Sequence, residues 1–212
     1  MENSDIDADA AVHLIEQGIA ASKSHDAQAA LSLFAQASVA APGSAVPHFL
    51  SASELAAMGE IERAEVAFSN AVVLAPEMSI ARYQLGLLQF SSGRAALALV
   101  TWQPLLNPAS AQPADQALEF FVRGYAALAQ DFFELALSHF EAGLALDNSN
   151  PALLGDVRTI MAGIEALIAE ANQKALQATT ATSASDTRET TPEDIESMHV
   201  LLSNYQSPGF RH

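Results

Sequence analysis

Apolar residues along this chain recur at three- and four-residue intervals, in short runs broken by glycine, proline or aspartate, which is the pattern of paired amphipathic helices. The plainest pair lies between Ala45 and Met78, AVPHFLSASELAAMGEIERAEVAFSNAVVLAPEM, two helical stretches hinged at Gly59. In its second half Ala64, Phe68 and Ala71 share one helix face, and Pro76 follows where that helix must stop. The figure recurs at a fixed offset of 34 residues: Ala30, Phe34, Ala37 and Pro42 before it, Ala98 and Trp102 after it. A further copy, displaced by four extra residues, supplies Ala136, Phe140 and Gly143.

The first helix of each pair carries a small residue beside a bulky apolar one: Leu14 with Gly18, Ala52 with Leu55, Leu85 with Gly86, Phe120 with Gly124. Glycine inside a helix costs about 1 kcal/mol relative to alanine, so its repeated use there implies two helices in close approach. The pattern predicts helices at 8–23 and 26–40, 45–57 and 60–74, 79–91 and 94–104, 115–129 and 132–146. Residues before 8 are expected to fray. Asp26 and Asp131 are expected to cap the helices that follow them, while Gly59 and Gly93 take the left-handed geometry that ends the helices before them. Pro104 should end the third pair early, near Gln103, leaving a longer connection from Asn107 to Asp115. Beyond Asn150, a cap followed by Pro151, a stripe of Leu153, Leu154, Val157, Ile160, Met161, Ile164, Leu167 and Ile168 forms a final helix. That stripe either covers the last apolar face or forms a dimer seam.

The period, the small residue in the first helix, the Ala-x3-Phe of the second and the terminal proline together resemble the tetratricopeptide repeat family, over residues 11 to 150. The resemblance implies an all-α fold, a right-handed superhelix of about four helix-turn-helix repeats closed by a capping helix. Residues 1–177 then form one domain, with the capping helix at 150–177, an Ala/Thr/Ser linker at 178–190 and a tail at 191–212. It also implies that the first helices line a concave, peptide-binding side. There the chain offers Ile15 and Ile19, Phe49, Tyr83, Leu87 and Phe90, and Phe121, Tyr125 and Leu128, a set without the lysine, arginine and asparagine that hold a terminal carboxylate in some relatives. Arg82 and Arg123 fall to the side. Such a groove suits an amphipathic helix or an extended apolar segment. The alternative is that these residues pack against neighbouring helices.

In the tail, Thr191, Pro192, Glu193 and Asp194 read as a helix start, and Ile195, Met198, Leu201, Leu202 and Tyr205 follow on one face. This short amphipathic helix is expected to compete with a partner for the groove or to pair with a second copy.

Charge narrows the partners. With 25 acidic against 9 basic side chains the formal net charge is −16, which disfavours nucleic acid and anionic membranes. There is no cysteine, the six histidines form no i, i+4 pair, and no phosphate-cradling glycine loop or nucleophile triad stands out. No metal, cofactor or catalytic residue is therefore expected. The acidic start lacks the basic and apolar regions of a secretory signal and no apolar run spans a bilayer, so a cytoplasmic protein without membrane insertion is expected. The reading that follows is a non-catalytic protein-binding module, an adaptor or chaperone. Its alternative is a self-associating scaffold or assembly factor with the groove filled internally, dimerising through capping helix or tail.

Overall fold

Pairing of neighbouring helices dominates the architecture, as the recurrent small-and-aromatic pattern requires. The structure, a computed structural model, describes residues 2–106, 115–146 and 150–183, with side chains described within 9–106, 115–146 and 150–177. The helices are α1 (Glu2–Lys23), α2 (Ala27–Ala40), α3 (Val46–Ala57), α4 (Ile61–Leu74), α5 (Ser79–Ser91), α6 (Ala95–Trp102), α7 (Gln116–Leu128), α8 (Phe133–Leu146) and α9 (Pro151–Ser183). No strand occurs among the described residues. The chain divides into two units, Met1–Val122 and Arg123–His212, with α7 passing from one into the other.

The predicted boundaries hold within two residues except at the start of α1 and the end of α9. Helix α1 begins at Glu2, so the stretch expected to fray is helical. Helix α6 ends early as expected, at Trp102, and tightens into a 3-10 turn, Gln103–Leu106, because Pro104 has no N–H to continue the helix. Helix α9 runs through residues 178–183, into the stretch read as a linker. The rest of that linker and the whole tail, including Ile195, Met198, Leu201, Leu202 and Tyr205, lie outside the described residues.

Every pair closes through the same turn. Residues His25, Gly59, Gly93 and Asp131 have φ of 60°, 76°, 76° and 60°. The N–H of each donates to the carbonyl three residues back, at Ser22, Ala56, Phe90 and Leu128, and the next residue's N–H reaches the carbonyl five back, at Ala21, Leu55, Gln89 and Ala127. These paired bonds satisfy the last carbonyls of the first helix and aim the chain into the second. Asp26 also caps α2, its Oδ1 accepting from the Ala29 N–H at 3.0 Å. Asp131, expected to act in the same way, instead holds the left-handed position itself. Asn150 caps α9 as expected, accepting from the Leu153 N–H at 3.2 Å.

The core follows the predicted figure. Ala30, Phe34 and Ala37 are buried, as are Ala64, Phe68 and Ala71, then Ala98 and Trp102, then Ala136, Phe140 and Gly143. Each glycine of the first helices receives an aromatic ring. A Cβ at Gly18 would meet Cδ1 of Phe34 at 2.7 Å, one at Gly86 would meet Cδ1 of Trp102 at 2.6 Å, and one at Gly124 would meet Cδ1 of Phe140 at 2.6 Å. The helix accepts the cost of glycine because only a bare Cα lets the ring lie flat against the backbone. At Trp102 the contact gains a hydrogen bond, the indole N–H donating to the Tyr83 carbonyl at 2.9 Å. In the second unit α9 presses Leu153, Leu154, Val157 and Ile164 out of water.

Candidate interaction surface

The residues proposed to line a groove separate into two classes. Tyr83, Phe121 and Tyr125 are interior, with exposures of 0%, 0% and 1%. Tyr83 stacks on Trp102 at 6.2 Å between ring centroids and tilts against Phe121 at 6.3 Å, while Tyr125 meets Phe140 edge-on at 5.1 Å. Their place in the core has a plain cause: once Gly86 and Gly124 admit Trp102 and Phe140, the rings alongside are the apolar matter available to fill the remaining volume. These three side chains therefore present no open face.

The second class is half-buried. Ile15 and Ile19 on α1, Phe49 on α3, Leu87 and Phe90 on α5, and Leu128 on α7 each keep part of their surface in contact with water. Phe90 leans on Trp102 at 6.0 Å and Phe49 on Phe68 at 5.9 Å, so both are anchored from below. On α1 the more exposed Val12 continues the row, since positions 12, 15 and 19 share a face. The first unit thus carries an apolar row along its first helices, built from Val12, Ile15, Ile19, Phe49, Leu87 and Phe90.

Polar contacts fix the helices that bear this row. Ser22 of α1 donates to Glu54 of α3, and Ser79 at the start of α5 donates to Asp115 just before α7 at 2.6 Å. A larger network ties α4 to the next pair. Arg94 grips both oxygens of Glu65, at 3.0 and 2.7 Å, and the buried Gln89 donates to the same carboxylate at 3.1 Å while accepting from Thr101 at 2.7 Å. The hydrogen bond from Arg94 holds the Glu65 carboxyl below its ordinary range, against the opposing effect of partial burial, with Gln89 adding to the depression. By sequence alone Glu60, Glu62 and Glu65, near a helix start, read as a solvated face, whereas Glu65 is an inter-repeat tie. The spacing from Glu65 to Arg94 falls a few residues short of one period, and that was the available signal. Arg82 donates to the Pro76 carbonyl at 3.4 Å and so works on the turn rather than on a ligand.

Among the described residues no three His, Cys, Asp or Glu side chains converge as a metal site, and no helix is long and apolar enough to cross a membrane. His13 faces Gln17 at 2.7 Å.

No protein-family model matches the chain, and no curated protein matches it in sequence. Solved structures do. The crystal structure of MamA, a protein with tetratricopeptide repeats, superposes with a TM-score of 0.53 at 20% identity, over 64% of this chain and 77% of its own. The fold is that of a tetratricopeptide repeat protein. MamA from Desulfovibrio magneticus RS-1, from its residue 41 to its end, agrees at the same TM-score with 19% identity, over 84% of this chain and 98% of its own. At this identity the likeness is one of fold. The tetratricopeptide pairs here are α1–α2, α3–α4, α5–α6 and α7–α8, with α9 following the last.

Proposed function

We propose that the chain is a non-catalytic protein-interaction module, an adaptor or chaperone, that holds an apolar peptide or one face of an amphipathic helix against the first helices of its first unit. The observation that carries the reading is the half-exposed apolar row on the first helices of the first three pairs, in which Ile15 and Phe49 share one position of the repeat, and Ile19 and Leu87, two periods apart, share another. Phe49 and Phe90 are rigid rings backed by Phe68 and Trp102, the arrangement that lets an aromatic side chain act as an anchor at little entropic cost. Basic residues play no part in the row, which favours side-chain burial over capture of a terminal carboxylate. In the sequence of the tail, Ile195, Met198, Leu201, Leu202 and Tyr205 recur at helical spacing, and we assign that stretch the role of a competing occupant that regulates access.

The test is capture of partners from the source cell with the wild type and with an Ile19→Glu, Leu87→Glu variant that retains its far-UV circular dichroism. A partner enriched on the wild type should be lost from the variant, and truncation after residue 183 should increase its capture. Partners retained undiminished by the variant would remove the row from consideration.

A further inference from the structure

The left-handed residues His25, Gly59, Gly93 and Asp131 put the four pairs in register, position by position. Where Glu65 of α4 stands, the other second helices have Leu31, Leu99 and Leu137; where Gln89 of α5 stands, the other first helices have Ala21, Leu55 and Ala127. Thr101 of α6 answers to Leu33, Ala67 and His139. Glu65, Gln89 and Thr101 are not scattered. They meet at one joint, where the third pair docks on α4: Gln89, 5% exposed, donates to Glu65 and accepts from Thr101, and Arg94 closes on the same carboxylate.

The joint before it shows that polar groups are not needed to hold two pairs together. There the same three positions are Leu31, Leu55 and Ala67, and Leu31 and Ala67 pack against the apolar cluster that contains Leu55. A largely buried polar set contributes little beyond what apolar side chains of similar size would, because each group gives up water to gain its partner. Stranding one member is another matter, since a buried donor or acceptor without a partner bears its full desolvation cost. The network therefore adds little in the right arrangement and a penalty in a wrong one, which is the condition for discrimination.

We propose that Glu65, Gln89, Thr101 and Arg94 are a pairing code that seats the third pair on the second and excludes the alternatives a repeated sequence offers. Every pair buries the same small-and-aromatic figure, so apolar packing alone does not tell one from another. Were the third pair to dock on α2, the Gln89 amide would face Leu31 and lose its acceptor. Were the second pair of another chain to dock on α4, Leu55 would face Glu65 and keep Arg94 from it, leaving the carboxylate without its cation. Exchanges of this kind are the characteristic misassembly of repeat proteins. By refusing them the network keeps the second and third pairs adjacent within one chain, whatever the row on their first helices binds.

Refolding of the full chain from urea tests this, at about 100 μM and in about 0.3 M salt, where repulsion between the acidic chains is screened. The variant Glu65→Leu, Gln89→Leu, Thr101→Ala gives this joint the residues of the one before it. It should unfold at a urea concentration no lower than that of the wild type. Its refolded material should nevertheless contain at least about tenfold more of species larger than the native wild type in size-exclusion chromatography, the factor expected for one buried polar group denied a partner. Glu65→Leu alone strands Gln89 and should unfold at lower urea than the triple variant, because the residues act as a set. A triple variant that refolds to the size distribution of the wild type overturns the proposal. So does a triple variant less stable than the wild type, which would make the network an ordinary stabilising contact, and so does a Glu65→Leu chain as stable as the triple variant.

Discussion

Replacing Gly86 with alanine should destabilise the protein even though alanine is the better helix former. On propensity alone the substitution in the middle of α5 gains about 1 kcal/mol. The new Cβ, however, would lie 2.6 Å from Cδ1 of Trp102 and closer still to Nε1 and Cε2, where carbon contacts become favourable only near 3.5 Å. Trp102 has nowhere to go: its exposure is 0%, and its indole N–H is held by the Tyr83 carbonyl. Overpacking costs about 1–3 kcal/mol, and the displaced hydrogen bond adds about 1 kcal/mol. The net loss is about 1–3 kcal/mol, or a fall in melting temperature of roughly 2–12 °C for a chain of this size. Trp102 is the single tryptophan, so its fluorescence reports on this contact during thermal or urea unfolding. Gly155→Ala in α9 is the matched control, since its Cβ meets nothing within 4 Å and the gain of about 0.5–1 kcal/mol should appear undiminished. If Gly86→Ala is as stable as the wild type, the close packing of ring on backbone is not what holds the third pair together.

Two more outcomes follow from other contacts. Asp131 holds a left-handed φ of 60° that glycine adopts without strain, so Asp131→Gly should raise stability by about 0.5–1 kcal/mol, read from the midpoint of urea unfolding. The depressed Glu65 carboxyl stabilises the folded state above its ordinary pKa of 4.5, and that contribution is lost as pH falls through the lower folded value. The melting temperature of Glu65→Gln should therefore lie below that of the wild type at pH 7 and approach it as pH is taken below 4.5; a gap that stays constant down to pH about 3 would mean that Arg94 and Glu65 are not coupled.

The repeat, the pairing and the small residues that mark close approach were legible in the sequence because each recurs, and recurrence at 34 residues separates a structural requirement from accident. Gly18, Gly86 and Gly124 announced three backbone contacts, and Pro104 announced where α6 fails. The burial of Tyr83, Phe121 and Tyr125 was not legible. Tyr83 and Phe121 hold the repeat position of Phe49 and Ile15, and Tyr125 that of Leu87 and Ile19, all of which keep a wet edge, so the repeat position does not decide burial; packing in three dimensions does. Asp131 misled for a related reason: aspartate serves both as a helix cap and in the left-handed region, and the four-residue displacement of that repeat hides its equivalence to Gly59 and Gly93. Glu65 looked solvated because its partner Arg94 lies in the following pair. Contacts between successive pairs leave weaker traces than contacts within one.

The turn that closes each pair keeps one hydrogen-bonded geometry in all four places, whereas the connections from one pair to the next vary, from the short Pro42 and Pro76 joints to the long stretch after Leu106. Length is therefore conserved where it fixes how two helices meet and free where it only joins finished hairpins. A single residue inserted beside Gly59 would rotate α4 by about 100° and turn Phe68 away from Ala52. By the same logic, a gene that lengthened by copying one hairpin would add another turn of the same kind.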